Sequence, residues 1–285
     1  VCRKQWREQP AGIGAGIAAA AIMAPTSASA HATGQSFVAL LPTGPYMAVG
    51  VAIVALSIML LWFLPQHSAA RLLPSRSCGR IAAPPAARSA SSFLTFLFVC
   101  GGIAGGLTGT RDPLENPLVL GFWVAFWMAS PMIQGYGFNL WGWISPWQWA
   151  ARPLAELTGR PVLPLPRRVG VWPAAILLLG FSAFTLADPA PDDPARLAKM
   201  IATYSLLTFA GMALVGPRRW LRQVEFLSVL MAQFGKLGML ARRGRRARAG
   251  WPGWQLASGG AAVPGIPVFI LVLLGTGSFD GFNET

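Results

Sequence analysis

The 285-residue chain is 54% hydrophobic and only 12% charged, with a formal net charge of +13. A soluble domain of this size would carry about 25% charged residues, so the composition points to a membrane protein. The excess positive charge does not signal nucleic-acid binding, because the basic residues sit between apolar runs rather than among surface aromatics. The fold class expected is all-α, a polytopic transmembrane helical bundle of about six spans after a cleaved signal peptide.

The leader is read over residues 1–30. Arg3, Lys4 and Arg7 form a basic start, Ala11 to Ala24 a short apolar stretch, and Ala28-Ser29-Ala30 a cleavage site with small residues where a signal peptidase reads them. That stretch is shorter than the roughly 20 residues a stable span needs. Cleavage after Ala30 makes His31 the mature N-terminus. The membrane domain, 31–285, contains six apolar segments at approximately 44–65, 91–109, 117–138, 170–187, 196–216 and 263–279.

The loops orient these spans. With His31 outside, the first inner loop carries Arg71, Arg76, Arg80 and Arg88, and the second Arg152, Arg160, Arg167 and Arg168. The third carries Arg218, Arg219, Arg222, Lys236 and the run Arg242 to Arg248. Only Arg111, Arg196 and Lys199 are basic on the other side, beside Asp112, Glu115, Asp188, Asp192, Asp193, Asp280 and Glu284. The positive-inside rule then places the mature N-terminus in the periplasm of a bacterial inner membrane. Trp62, Trp141, Trp143, Trp147, Trp149, Trp172, Trp220, Trp251 and Trp254 fall near inner span ends, where indoles anchor at the headgroups. The apolar stretch Val224 to Leu240 is expected to lie along the inner surface with Glu225, Gln233 and Lys236 facing water, and the adjacent basic run against anionic lipid.

Candidate chemistry lies in three acidic, Pro-rich outer loops: 111–117, 188–194 and 279–283. Carboxylates from loops that converge can share a hard cation or position a water. The competing reading is topological, since outer loops keep acids when bases are held inside, and Asp-Pro pairs also start helices. His31, with an imidazole and a free α-amine on one residue, is a chelating pair suited to a late transition metal, or else a solvated N-terminus. Asn139 to Trp147 reads as a helix end stopped at Pro146 or as a partner surface. Gly101 to Gly106 lies inside a span and marks close helix packing rather than phosphate binding. Three cysteines give neither a disulfide framework nor a zinc spacing. GxSxG, Walker and HExxH signatures are missing.

Several motifs together resemble a family of bacterial multi-pass membrane proteins often labelled fenitrothion hydrolase. They are Ala30-His31 through Leu40-Leu41-Pro42-Thr43-Gly44-Pro45-Tyr46, Asp112-Pro113 with Asn116-Pro117, Asn139-Leu140-Trp141 through Ser145-Pro146-Trp147, and Phe279-Asp280-Gly281-Phe282 with Glu284-Thr285. The resemblance covers most of the mature chain and implies further spans past the Phe-Asp-Gly motif. It implies hydrolysis of apolar organophosphate triesters at the periplasmic face, but it supplies no transferable catalytic residues. On that reading Asp112 and Asp280 are catalytic, and Glu115, Asp188 and His31 hold a divalent metal. The partners expected are the lipid bilayer, a small apolar substrate and a second membrane subunit. The alternative is a non-enzymatic membrane anchor, transporter or metal-handling subunit.

Overall fold

The structure, a computed structural model, describes residues 43–63, 71–80, 84–243, 246–258 and 263–283. The expected leader and His31 lie outside the described residues. A helix occupies each of the six apolar segments: α1 (Thr43–Phe63), α2 (Pro85–Thr108), α3 (Pro117–Tyr136), then, after the short amphipathic α4 (Ala151–Thr158), α5 (Trp172–Ala187), α6 (Pro194–Val215) and, beyond α7 (Phe226–Gly235), α8 (Ile266–Asn283). Among the described residues, α2, α3 and α6 are long and apolar enough to cross a membrane. The described side chains of α1 are all exposed.

Local chemistry sets the helix starts. Asn116 caps α3 by accepting from the Leu118 amide at 3.0 Å, and Asp193 caps α6 by accepting from the Arg196 amide at 2.8 Å. Pro117 and Pro194 follow in the first turn, where a missing N–H costs nothing. The middle of α3, Gly121–Ala129, is π-helical. That wider turn carries Phe122, Trp123, Phe126 and Trp127, whose rings pack on one another. Helices α2, α3 and α6 meet closely at Gly106: a Cβ there would lie 2.8 Å from the Pro194 carbonyl and 2.9 Å from the Ala198 Cβ. Gly106 is therefore the packing glycine of the run, while Gly101 and Gly105 face open space.

The bundle has two chemically distinct ends. Loops 109–116 and 188–193 share one, joined by an Arg111–Asp193 ion pair at 3.0 Å. The other end gathers the segments around Leu163 and Val171, the end of α6 and Pro264, through Leu163 N–H to Leu214 O at 3.0 Å and Val171 N–H to Pro264 O at 2.9 Å. Ser92 ties α2 to that end, its hydroxyl accepting from the Trp149 amide at 2.8 Å.

A three-stranded antiparallel sheet, in the order β1-β3-β2, also lies at this basic end: β1 (Ser75–Arg80), β2 (Leu240–Arg243) and β3 (Arg246–Gly250). Its register aligns Arg80, Arg246 and Arg243. The described residues are predominantly helical, in keeping with the all-α expectation, and this small sheet is the exception. Its strands come from the first inner loop (β1) and from the arginine-rich segment 240–250 (β2 and β3).

The main departure concerns residues 216–239. Helix α6 ends at Gly216, whose φ of +91° is the left-handed conformation that glycine adopts freely, and Pro217 starts a new turn. The chain then runs back along α6. Trp220 packs on Gly211, and the Tyr204 hydroxyl donates to the Glu225 carboxylate. Tyr204 lies eleven residues inside the end of α6, about 16 Å at 1.5 Å per residue. From Glu225, α7 descends to the same end: Gln134 donates to the Met231 carbonyl, and the Met239 amide donates to Tyr136 O at 3.2 Å. Residues 216–239 are thus a hairpin with its tip at mid-bundle. Phe226, Leu230 and Met231 are buried with Leu178 and Phe269, so α7 lies in the core and not along a surface.

Candidate functional site

The expected site at the acidic end is only partly assembled. Asp112 is exposed, and its carboxylate accepts from the Leu114 amide at 2.9 Å, closing a turn. Glu115 is exposed beside it. Asp188 accepts from the Ala190 amide at 2.9 Å and pairs with Arg196 at 2.7 Å. Asp193 is held below the usual carboxylate range, chiefly by the Arg196 amide, with the Arg111 guanidinium adding to it. Two of the three loops converge, joined by the Arg111–Asp193 ion pair. Among the described residues no group of three or more His, Cys, Asp or Glu is placed to hold a metal. The backbone of Asp280 belongs to α8, which continues to Asn283 where an outer loop was expected, and its side chain lies outside the described residues.

The carboxylate with the most elaborate surroundings is one the sequence reading turned toward water. Glu225 is 0% exposed. It caps α7, accepting from the Leu227 amide at 3.1 Å and the Ser228 amide at 2.7 Å, and it also accepts the Tyr204 hydroxyl. Glu225 faces the core because α7 begins inside the bundle, where its first N–H groups need an internal acceptor. A sequence signal was available: one acid after Gly216-Pro217, heading the apolar decapeptide Phe226 to Gly235.

The indoles change role as well. Trp141, Trp147, Trp220 and Trp254 are buried. Trp141 donates to Ser228 Oγ at 2.9 Å and Trp254 to Met239 O at 3.0 Å, so these rings fasten the hairpin instead of facing headgroups. Trp147 stacks edge-on with Tyr204, 5.9 Å between centroids. Trp62, Trp172 and Trp251 remain exposed.

An open cavity of about 1160 Å³ enters from the basic end. Arg152, Arg167, Arg218, Arg219 and Arg222 line it, and no carboxylate does. Arg152 is paired with Glu156 at 2.9 Å; the other four have no ion pair among the described residues. Trp141, Ser228 and Gln233 also line the cavity, so it reaches the residue whose amide holds Glu225. The site therefore joins a cationic vestibule to a buried, fully hydrogen-bonded acid.

No family model, curated protein or solved structure matches the chain.

Proposed function

We propose that this chain is a six-span protein of a bacterial cytoplasmic membrane, with a cleaved leader and its basic end in the cytoplasm, that binds and passes a solute and does not carry out covalent chemistry. The observation that carries this reading is the hairpin 216–239 with Glu225 at its tip, reached by a vestibule from the basic end. An ionisable side chain at membrane mid-depth is costly and marks a pathway or binding site when it is retained. Broken helices whose N-termini sit at mid-depth are a recurring way to build solute sites, because irregular backbone is tolerated there only inside protein or along a cavity.

A second reading, hydrolysis of an apolar phosphotriester such as fenitrothion at the periplasmic face, is favoured by the four sequence motifs. It would use Asp112 and Asp280, with Glu115, Asp188 or His31 holding a divalent metal that stabilises the phosphoryl oxygen while water attacks phosphorus and aryloxide leaves.

One reconstituted preparation separates the two. With Cys78 and Cys100 replaced by serine, Ala232→Cys, which lines the vestibule, should react from the basic side with a membrane-impermeant thiol reagent. Buried Leu230→Cys should not react. An anionic reagent should label about tenfold faster than a cationic one, because the arginines concentrate anions. The same vesicles, with or without divalent metal, should release no nitrophenol from fenitrothion. Release that Asp112→Asn abolishes would establish the hydrolase instead.

A further inference from the structure

We infer that the vestibule is a binding site for the phosphate group of an anionic phospholipid. This names a ligand class for the cavity on which the solute-binding reading rests, and it follows from the lining itself.

Every basic residue lining the vestibule is arginine. The planar guanidinium matches phosphate oxygens through two parallel hydrogen bonds and is less strongly hydrated than an ammonium, so a lysine-free cationic lining suits phosphate better than a general counterion cloud. Arg218, Arg219 and Arg222 stand within five residues on the ascending limb of the hairpin, and Arg167 approaches from another segment. Four cations without an acid partner around one cavity repel each other, and a bound anion relieves that repulsion.

The rest of the lining points to a lipid and not a free ion. Val171, Leu221, Val263 and Ile266 face the same space, and Ile266 opens the apolar helix α8. Apolar walls beside arginines fit a ligand with a charged head and a hydrocarbon body. The volume exceeds what inorganic phosphate fills and is larger than the roughly 300–1,000 Å³ usual for a compact organic ligand. Basic pockets between membrane helices on the cytoplasmic side are where phospholipid headgroups lodge.

The test uses the full chain in nanodiscs of zwitterionic phosphatidylcholine with graded phosphatidylglycerol, reading retained lipid by native mass spectrometry and Tm by thermal melting. Wild-type protein should retain phosphatidylglycerol and melt higher as its fraction rises. Each guanidinium lost should weaken retention about tenfold, so Arg218→Gln with Arg222→Gln should weaken it about 100-fold. Arg218→Lys with Arg222→Lys, which keeps the charge and guards against a folding defect, should weaken it by less than the glutamine pair yet measurably. Arg76→Gln with Arg246→Gln, in the sheet and outside the vestibule, should leave it unchanged. Equal loss in the sheet and vestibule pairs would overturn the proposal in favour of diffuse surface charge. Phosphatidylglycerol retained no better than phosphatidylcholine would overturn it outright, and millimolar inorganic phosphate raising Tm equally would replace it with a free-anion site. Vestibule labelling that succeeds while lipid retention fails sinks this proposal alone.

Discussion

Replacing Glu225 with alanine is expected to lower unfolding stability by about 2–5 kcal/mol, because a helix cap is lost and buried donors are left without an acceptor. Three donors lose their acceptor at once: the Tyr204 hydroxyl and the amides of Leu227 and Ser228. The cap alone is worth about 0.5–2 kcal/mol, and each donor left unsatisfied in the core adds about 1–3 kcal/mol. Tyr204→Phe should cost less, about 1–3 kcal/mol, because Glu225 keeps both backbone donors. The two changes should be non-additive, since each single variant already breaks the one Tyr204–Glu225 bond that the double variant breaks. Chemical or thermal denaturation in detergent of the two single variants and the double reads this directly. Additive losses would mean that the pair is not a unit and that the tip is held by packing alone.

The second large effect concerns the seat of the ascending limb. A Cβ on Gly211 would collide with three atoms of the Trp220 ring, which is buried and cannot swing into solvent. Gly211→Ala should therefore cost about 1–3 kcal/mol by overpacking, and Gly211→Val more. Trimming the indole should relieve the clash, so Gly211→Ala with Trp220→Leu should be less destabilised than the sum of the single variants. The indole N–H has no partner, so its loss forfeits packing and no hydrogen bond. Melting temperatures of the four proteins test the coupling. A Gly211→Ala variant that melts like wild type would show that the limb is not seated on α6.

The helices of the six apolar segments were legible in the sequence because each segment opens on a proline-containing start, as at Asn116-Pro117 and Asp193-Pro194. The division of charge between the ends was equally legible, because it depends only on counting along the chain. The hairpin was not. Residues 224–240 are apolar with four polar positions, Glu225, Ser228, Gln233 and Lys236, and a surface helix, a core helix and a re-entrant helix share that pattern until the tertiary neighbours are known. Glu225 was misassigned for the same reason: a lone acid reads as solvent-facing unless the depth at which the helix begins is known. The sheet escaped because Arg246-Ala247-Arg248-Ala249 alternates with period two but its apolar face is only two alanines, so charge masked the strand pattern. Of the site, the acidic loops were found but two of their carboxylates are occupied by arginines, whereas the vestibule is assembled from α4, the 3₁₀ turn Arg167–Val169 and the hairpin, which are distant in sequence.

Residues 216–239 should enter and leave the membrane on one side. Alkaline phosphatase, active only after export, fused after Asp193 and after Arg248 tests this in whole cells. High activity is expected at Asp193 and background activity at Arg248, because the hairpin returns the arginine run to the side it left. High activity at Arg248 would mean that α7 crosses, and would contradict both the hairpin and the cytoplasmic vestibule built on it.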